Sequence, residues 1–197
     1  MDRMKPDYDL ILKLIKPKTK VLDLGCGTGT LLEKLIKERQ VRGLGVDKSG
    51  ELLNESLAKG LSVIQMDLDK GLENFSTGSF DYVVLNMTLQ AVYYPQLVLS
   101  EMVRVGKSAI VGFPNFGSYK LRWSLAFSGR MPKSKTLPFE WYNTPNIRLM
   151  TVKDFREFCK ANQIKILKEY FLTDWGWRVP AALANLFAAE GVFLLQK

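Results

Sequence analysis

The apolar pattern of this chain changes period several times along its length. Over residues 7–15 the spacing is helical, with Tyr8, Leu10, Ile11, Leu14 and Ile15 on one face ahead of Pro17. Residues 20–24 form a short apolar run broken by one acid, which predicts a buried strand. A glycine-rich loop ending at Gly29 then opens a helix that runs through Lys37. Residues 42–46 predict a second strand. A helix over 49–59 follows, capped by Ser49 and stopped by Gly60, and then a third strand over 62–66. The β-rich run Tyr82-Val83-Val84-Leu85 marks a fourth strand over 80–85. Residues 95–103 predict a helix and 109–113 a fifth strand.

Strand and helix thus alternate five times, which predicts a parallel sheet with helices on both faces. After Pro114 the alternation lapses. Residues 115–150 are rich in aromatics, lysines and prolines (Pro132, Pro138, Pro145), and read as an insertion or lid within a single domain spanning 1–197. Thr151-Val152-Lys153-Asp154 is a capping-type start for a helix ending near Asn162. Residues 164–172 and 191–196 predict two closing strands.

Composition narrows the class. The 197 residues are 47% hydrophobic and 24% charged, ordinary for a globular domain with its own core. Cys26 lies in the glycine loop and Cys159 in a predicted helix, so reduced thiols in a cytoplasmic protein are expected rather than a disulfide framework. The N-terminus lacks an apolar signal core, and the apolar stretch 179–195 is broken by Pro180, Asn185, Glu190 and Gly191. No membrane partner is expected. The formal net charge is +8, and residues 115–160 hold nine basic side chains against three acids. Such a patch suits nucleic acid, an acidic substrate, an acidic partner or plain solvent. No nucleic-acid signature accompanies it, so nucleic acid is not the expected partner.

The chemistry gathers around Gly25-Cys26-Gly27-Thr28-Gly29. Glycines between a strand and a helix let a ligand approach the backbone closely. The third glycine stands one place earlier than in the dinucleotide pattern, which would want glycine at Thr30. Asp23, two residues before the first glycine, suits the ammonium of an aminoacyl group. Asp47 ends the second strand where a carboxylate accepts both ribose hydroxyls. Together these point to S-adenosylmethionine (SAM), or its product S-adenosylhomocysteine, rather than NAD. The candidate site residues are Asp23, Gly25, Cys26, Gly27, Gly29, Asp47 with Lys48, Asp67 with Leu68, and Asn86. Asp67 suits the adenine amino group or, equally, a turn. Asn86 stands where the fourth strand would face the sulfonium, or satisfies local backbone groups.

Several stretches resemble the MetW family of methionine-biosynthesis proteins, which have a class I methyltransferase fold. They are the run from Val21 through the glycine loop, Val63 to Asp69, and Thr88-Leu89-Gln90-Ala91. More distinctive are Phe113-Pro114-Asn115-Phe116-Gly117, Gly129-Arg130-Met131-Pro132 and Trp141 through Ile147. Phe80-Asp81-Tyr82-Val83-Val84 is similar to the fourth-strand signature of class I methyltransferases, in which the acid caps structure. The resemblance implies a Rossmann-like, three-layer α/β/α fold, with a seven-stranded, mostly parallel sheet whose last strand is antiparallel. It also implies a role in methionine biosynthesis alongside homoserine O-acyltransferase. The sequence departs from the family at Arg148, where histidine is expected.

The chain contains no histidine. The usual general base after strand four is therefore missing, and Gln90 cannot take a proton near neutral pH. Tyr119, Glu140 and Tyr142 are the remaining candidates in the insertion. With no histidine and two separated cysteines, a zinc or iron site lacks its usual ligands. Two readings follow from the residues: a SAM-binding accessory protein that uses residues 113–147 to contact its partner, and a methyltransferase whose basic patch holds a small acidic metabolite.

Overall fold

The computed structural model describes residues 6–197. Seven strands form one sheet: β1 (Lys20–Leu24), β2 (Arg42–Asp47), β3 (Val63–Gln65), β4 (Phe80–Asn86), β5 (Gly106–Pro114), β6 (Lys165–Leu172) and β7 (Glu190–Gln196). Their spatial order is β3-β2-β1-β4-β5-β7-β6. The first five run parallel, and β7 inserts antiparallel between β5 and β6. The sheet matches the expectation of a mostly parallel, seven-stranded Rossmann-like fold with a reversed last strand. The strand order turns back between β1 and β4, the switch point at which open α/β sheets take their ligands.

The helices are α1 (Pro6–Leu14), α2 (Thr30–Arg39), α3 (Gly50–Ala58), α4 (Pro95–Val105), α5 (Tyr119–Ser128), α6 (Val152–Ala161) and α7 (Ala184–Phe187). The two-residue period of the strands sorts their side chains onto two faces. Leu22, Leu24, Val83, Leu85, Val111 and Phe193 meet α4 and α6 on one side. Val21, Tyr82, Val84, Ile110 and Val192 meet α1 and α2 on the other. Phe193 is the hub of an aromatic cluster, stacked on Phe113 and tilted against Phe155 at centroid distances of 5.6 and 4.7 Å. Asp81 caps the start of the sheet, accepting from the Lys20 amide at 2.9 Å and the Lys107 ammonium at 2.8 Å. Among the described residues no helix is long and apolar enough to cross a membrane.

Helix α5 lies inside a segment expected to be irregular. Its apolar residues alternate (Tyr119, Leu121, Trp123, Leu125, Phe127), which leaves no helical stripe for the sequence to reveal. Only Leu121 is buried, so the helix is not held chiefly by an apolar face. Asn115 anchors the segment's start. Its Nδ2 donates to the Ala188 carbonyl at 2.8 Å, and its Oδ1 accepts from the amides of Gly117 and Val152 at 3.0 and 3.3 Å. From Gly129 to Met150 there is no regular helix or strand.

Candidate functional site

The glycine loop leaves β1 and is tied at once to β2. The amides of Gly25 and Cys26 both donate to the Val46 carbonyl, at 2.7 and 3.0 Å. That tie, with the turn into α2, puts Gly25, Gly27 and Gly29 at φ of 69°, 55° and 73°. The left-handed region costs other residues about 1–2 kcal/mol, which explains the spacing. Gly25 also has no room for a side chain: a Cβ there would sit 2.4 Å from the Thr88 hydroxyl. Gly27 differs, since a Cβ there would meet nothing within 4 Å. Gly27 therefore borders open space, as a backbone surface offered to a ligand would.

Asp47 holds that surface in place. Its Oδ2 accepts from the Gly27 amide at 2.8 Å and its Oδ1 from the Ser49 amide at 2.9 Å. Each oxygen keeps a further lone pair, enough for a diol. Asp23 lies beneath the loop, 2% exposed, with Oδ2 buried and without a partner. Burial, and secondly the charge of Asp47, push its carboxyl from 3.8 up to about 7. A buried acceptor lacking a donor is costly, and a ligand ammonium would supply one. Cys26 contributes through its backbone. Its sulfur packs so closely on β2 that a Cβ at Gly45 would lie 2.7 Å from it, and burial pushes the thiol up to about 12.

Other candidates are placed differently. Asp67 serves as a cap, accepting from the Asp69 amide at 3.1 Å over the 3-10 turn Leu68–Lys70. Leu68 points into the core, so only its backbone faces outward contacts. Lys48 is exposed, and its carbonyl accepts from the Gln65 side chain at 3.0 Å. Asn86 does not serve local backbone groups. Its Nδ2 donates to the Asp7 carboxylate at 2.6 Å, bracing α1 against the end of β4, and its Oδ1 has no partner. Asp7, 1% exposed, is a site-edge residue with no distinguishing signal in the sequence beyond its place in a first helical turn.

The residues weighed as bases are committed elsewhere. Tyr119 packs on Phe187, Tyr142 lies edge-on to Trp141, and Glu140 pairs with Lys133 at 2.5 Å. The basic segment is largely satisfied within the chain as well. Lys120 pairs with Asp174, Arg156 with Glu169, and Arg122 with the Gly117 carbonyl. Arg148, standing where histidine was expected, donates to the Tyr93 carbonyl at 2.8 Å. Beside the glycine loop, a cavity of about 750 Å³ opens between α1, the turn after β4, residues 135–146 and residues 173–177. A larger groove of about 1150 Å³, between α4 and α6, contains none of the candidate residues.

A parallel sheet reversed at its last inner strand, with a glycine loop and an acid at the ends of β1 and β2, defines a Rossmann-like class I methyltransferase fold. Solved structures agree. A chain from the Haloferax volcanii complex of the Trm112 methyltransferase activator with a methyltransferase superposes with TM-score 0.71 at 18% identity, covering 99% of this chain and 90% of that one. A SAM-dependent methyltransferase from Archaeoglobus fulgidus gives TM-score 0.69 at 16% identity, covering 96% and 94%. The chain belongs to the family "Methionine biosynthesis protein MetW", whose sequence profile matches residues 5–195. A curated relative, the bifunctional methionine biosynthesis protein MetXA/MetW of Rhodopirellula baltica, is 39% identical over 97% of this chain. This chain spans only 32% of that relative's length.

Proposed function

We propose that this protein binds SAM or S-adenosylhomocysteine and acts as an accessory subunit of homoserine O-acyltransferase in methionine biosynthesis. Gly25 to Gly29 carry the ligand, with the Gly27 backbone against it. Asp47 takes the ribose, Asp23 receives the ammonium, and Asp67, Leu68 and Asn86 border the adenine and sulfonium ends. The unpartnered Asp23 oxygen and the open space over Gly27 support the ligand.

The observation that carries the accessory role is the exposure of the insertion. On α5, Trp123 and Phe127 stack at 4.7 Å yet remain 60% and 77% exposed, and Trp141 and Tyr142 are 74% and 70% exposed. Aromatic side chains left in water at this density mark a protein interface. The fused relative, with MetXA and MetW on one chain, supports an acyltransferase as the occupant. Methyl transfer to a small acidic metabolite finds less support, because the cations it needs are paired within the chain.

The test is reconstitution. Homoserine acylation is measured with the acyltransferase alone, with this protein added, and with SAM present. The accessory role predicts a change in rate or homoserine affinity that Trp123→Ala/Phe127→Ala abolishes while SAM binding persists. Asp47→Ala removes the SAM dependence. Acylation kinetics unaltered by the added protein would refute the role.

A further inference from the structure

The cavity beside the glycine loop has its own chemistry. It lies over the turn after β4 and the start of β7, and none of Gly25 to Gly29, Asp47 or Asp67 lines it. Two carboxylates that line it, Asp7 and Glu190, are 1% and 6% exposed. Gln90, 7% exposed, also lines it. Its Nε2 is spent on the Met87 carbonyl at 2.7 Å, while its Oε1 is buried with no partner. Asp174 is met by Lys120 at 2.5 Å. Among the described residues the lining cation is Lys135, whose ammonium lies 3.7 Å from the centroid of the Trp175 ring.

Lys135 apart, the described lining groups Asp7, Gln90 and Trp175 all favour positive charge. Acceptors and a π-face gather in the hollow, and a side-chain ammonium of the chain itself already sits on the aromatic wall. This runs against the +8 charge of the whole molecule. We propose that this cavity is a second ligand site, selective for a small organic ammonium ion bound next to the SAM loop. In it the Asp7 carboxylate supplies the counter-charge, Gln90 Oε1 accepts an N–H, and Trp175 receives the cationic face. None of Asp7, Gln90 and Trp175 lies on α5, although residues 135–146 of the insertion form part of the cavity wall.

Phenethylammonium and 3-phenylpropanoate are probes of similar size and opposite charge. Each is titrated calorimetrically into the full chain at neutral pH, free and saturated with S-adenosylhomocysteine. The cation is expected to bind saturably, at least ~10-fold tighter than the anion, against the charge of the whole protein. Asp7→Asn should weaken it by ~10-fold or more. Lys135→Gln, at an exposed position that leaves the fold intact, should tighten it several-fold by clearing the Trp175 face. Equal or tighter binding of the anion, no saturable binding of the cation, or an unaltered affinity in Lys135→Gln would overturn the proposal. So would loss of cation binding when S-adenosylhomocysteine is bound, which would make the hollow part of the SAM site. If S-adenosylhomocysteine itself fails to bind, the SAM reading falls, while the titration of the free protein still judges the cavity.

Discussion

Asp23 ties the stability of this protein to pH. Its carboxyl is fully enclosed, and its folded-state value of about 7 lies well above the usual 3.8. Between those values the folded protein holds a proton that the unfolded chain has released. Stability contributed by the protonated carboxyl is therefore present at low pH and is lost as pH rises toward 7. At about 1.4 kcal/mol per pH unit the full loss is about 4 kcal/mol, of which about 3 kcal/mol falls between pH 5 and 8. Replacing Asp23 by Asn removes the ionisation. The buried amide carries its own unsatisfied-group cost of about 1–3 kcal/mol, but that cost is independent of pH and cancels from the slope.

Urea unfolding at pH 5, 6, 7 and 8 measures the effect. The unsubstituted protein should lose stability relative to Asp23→Asn by about 3 kcal/mol across that range. Glu33, Asp81 and Glu101 act with the opposite sign, because Lys37, Lys107 and Arg104 hold them below the usual carboxylate range. Their stabilisation is lost only as pH falls through those lowered values, and both proteins share it. Parallel stability curves for the two proteins would refute the reasoning. SAM supplies the second half of the argument. If its ammonium meets Asp23, binding expels the proton. Affinity should then fall by up to about tenfold for each pH unit below 7, and in Asp23→Asn it should not.

Gly27→Ala should cost about 1–2 kcal/mol from its positive φ and keep the fold, since its Cβ meets no neighbour. If the proposed SAM site is right, it should weaken SAM by at least about tenfold in calorimetry, because that Cβ enters the open space over the loop. Gly25→Ala, with the same backbone strain and a 2.4 Å clash on Thr88, should show a markedly lower melting temperature than Gly27→Ala. Phe193→Ala should lose about 3–5 kcal/mol in urea unfolding, as it empties the centre of the Phe113, Phe155 and Phe171 cluster. Thr151→Ala should lose about 0.5–2 kcal/mol, because it breaks the capping box with Asp154 that starts α6.

The sheet was legible because its signals are local. Buried parallel strands are continuous apolar runs, and Tyr82-Val83-Val84-Leu85 can be read without a partner strand. The two closing strands could be placed too, but their order could not be read from residues alone. Nothing in Glu190–Gln196 says that it inserts between β5 and β6, because that depends on the β5 edge left open by the parallel set. Helix α5 stayed hidden for the opposite reason. An alternating apolar pattern belongs to a strand, and here it exists because the residues are not packed on the chain's own core. The feature that misleads a reading of local structure is the same one that suggests an interface.

The site divides along the same line. Gly25, Gly27, Gly29 and Asp47 are close in sequence to the strand ends that position them, so spacing alone places them together. Asp7 and Gln90 stand 83 residues apart in the chain and line one cavity only because α1 folds back over the end of β4, where Asn86 braces it. Backbone ties deepen that dependence: the Gln90 carbonyl accepts from the amides of Ile147 and Arg148 at 2.8 and 2.9 Å, which fastens the far end of the insertion to the turn after β4. Gln90 therefore occupies the place of a missing base, yet its hydrogen bonds are structural: its side chain fixes the Met87 carbonyl and its own carbonyl holds the far end of the insertion.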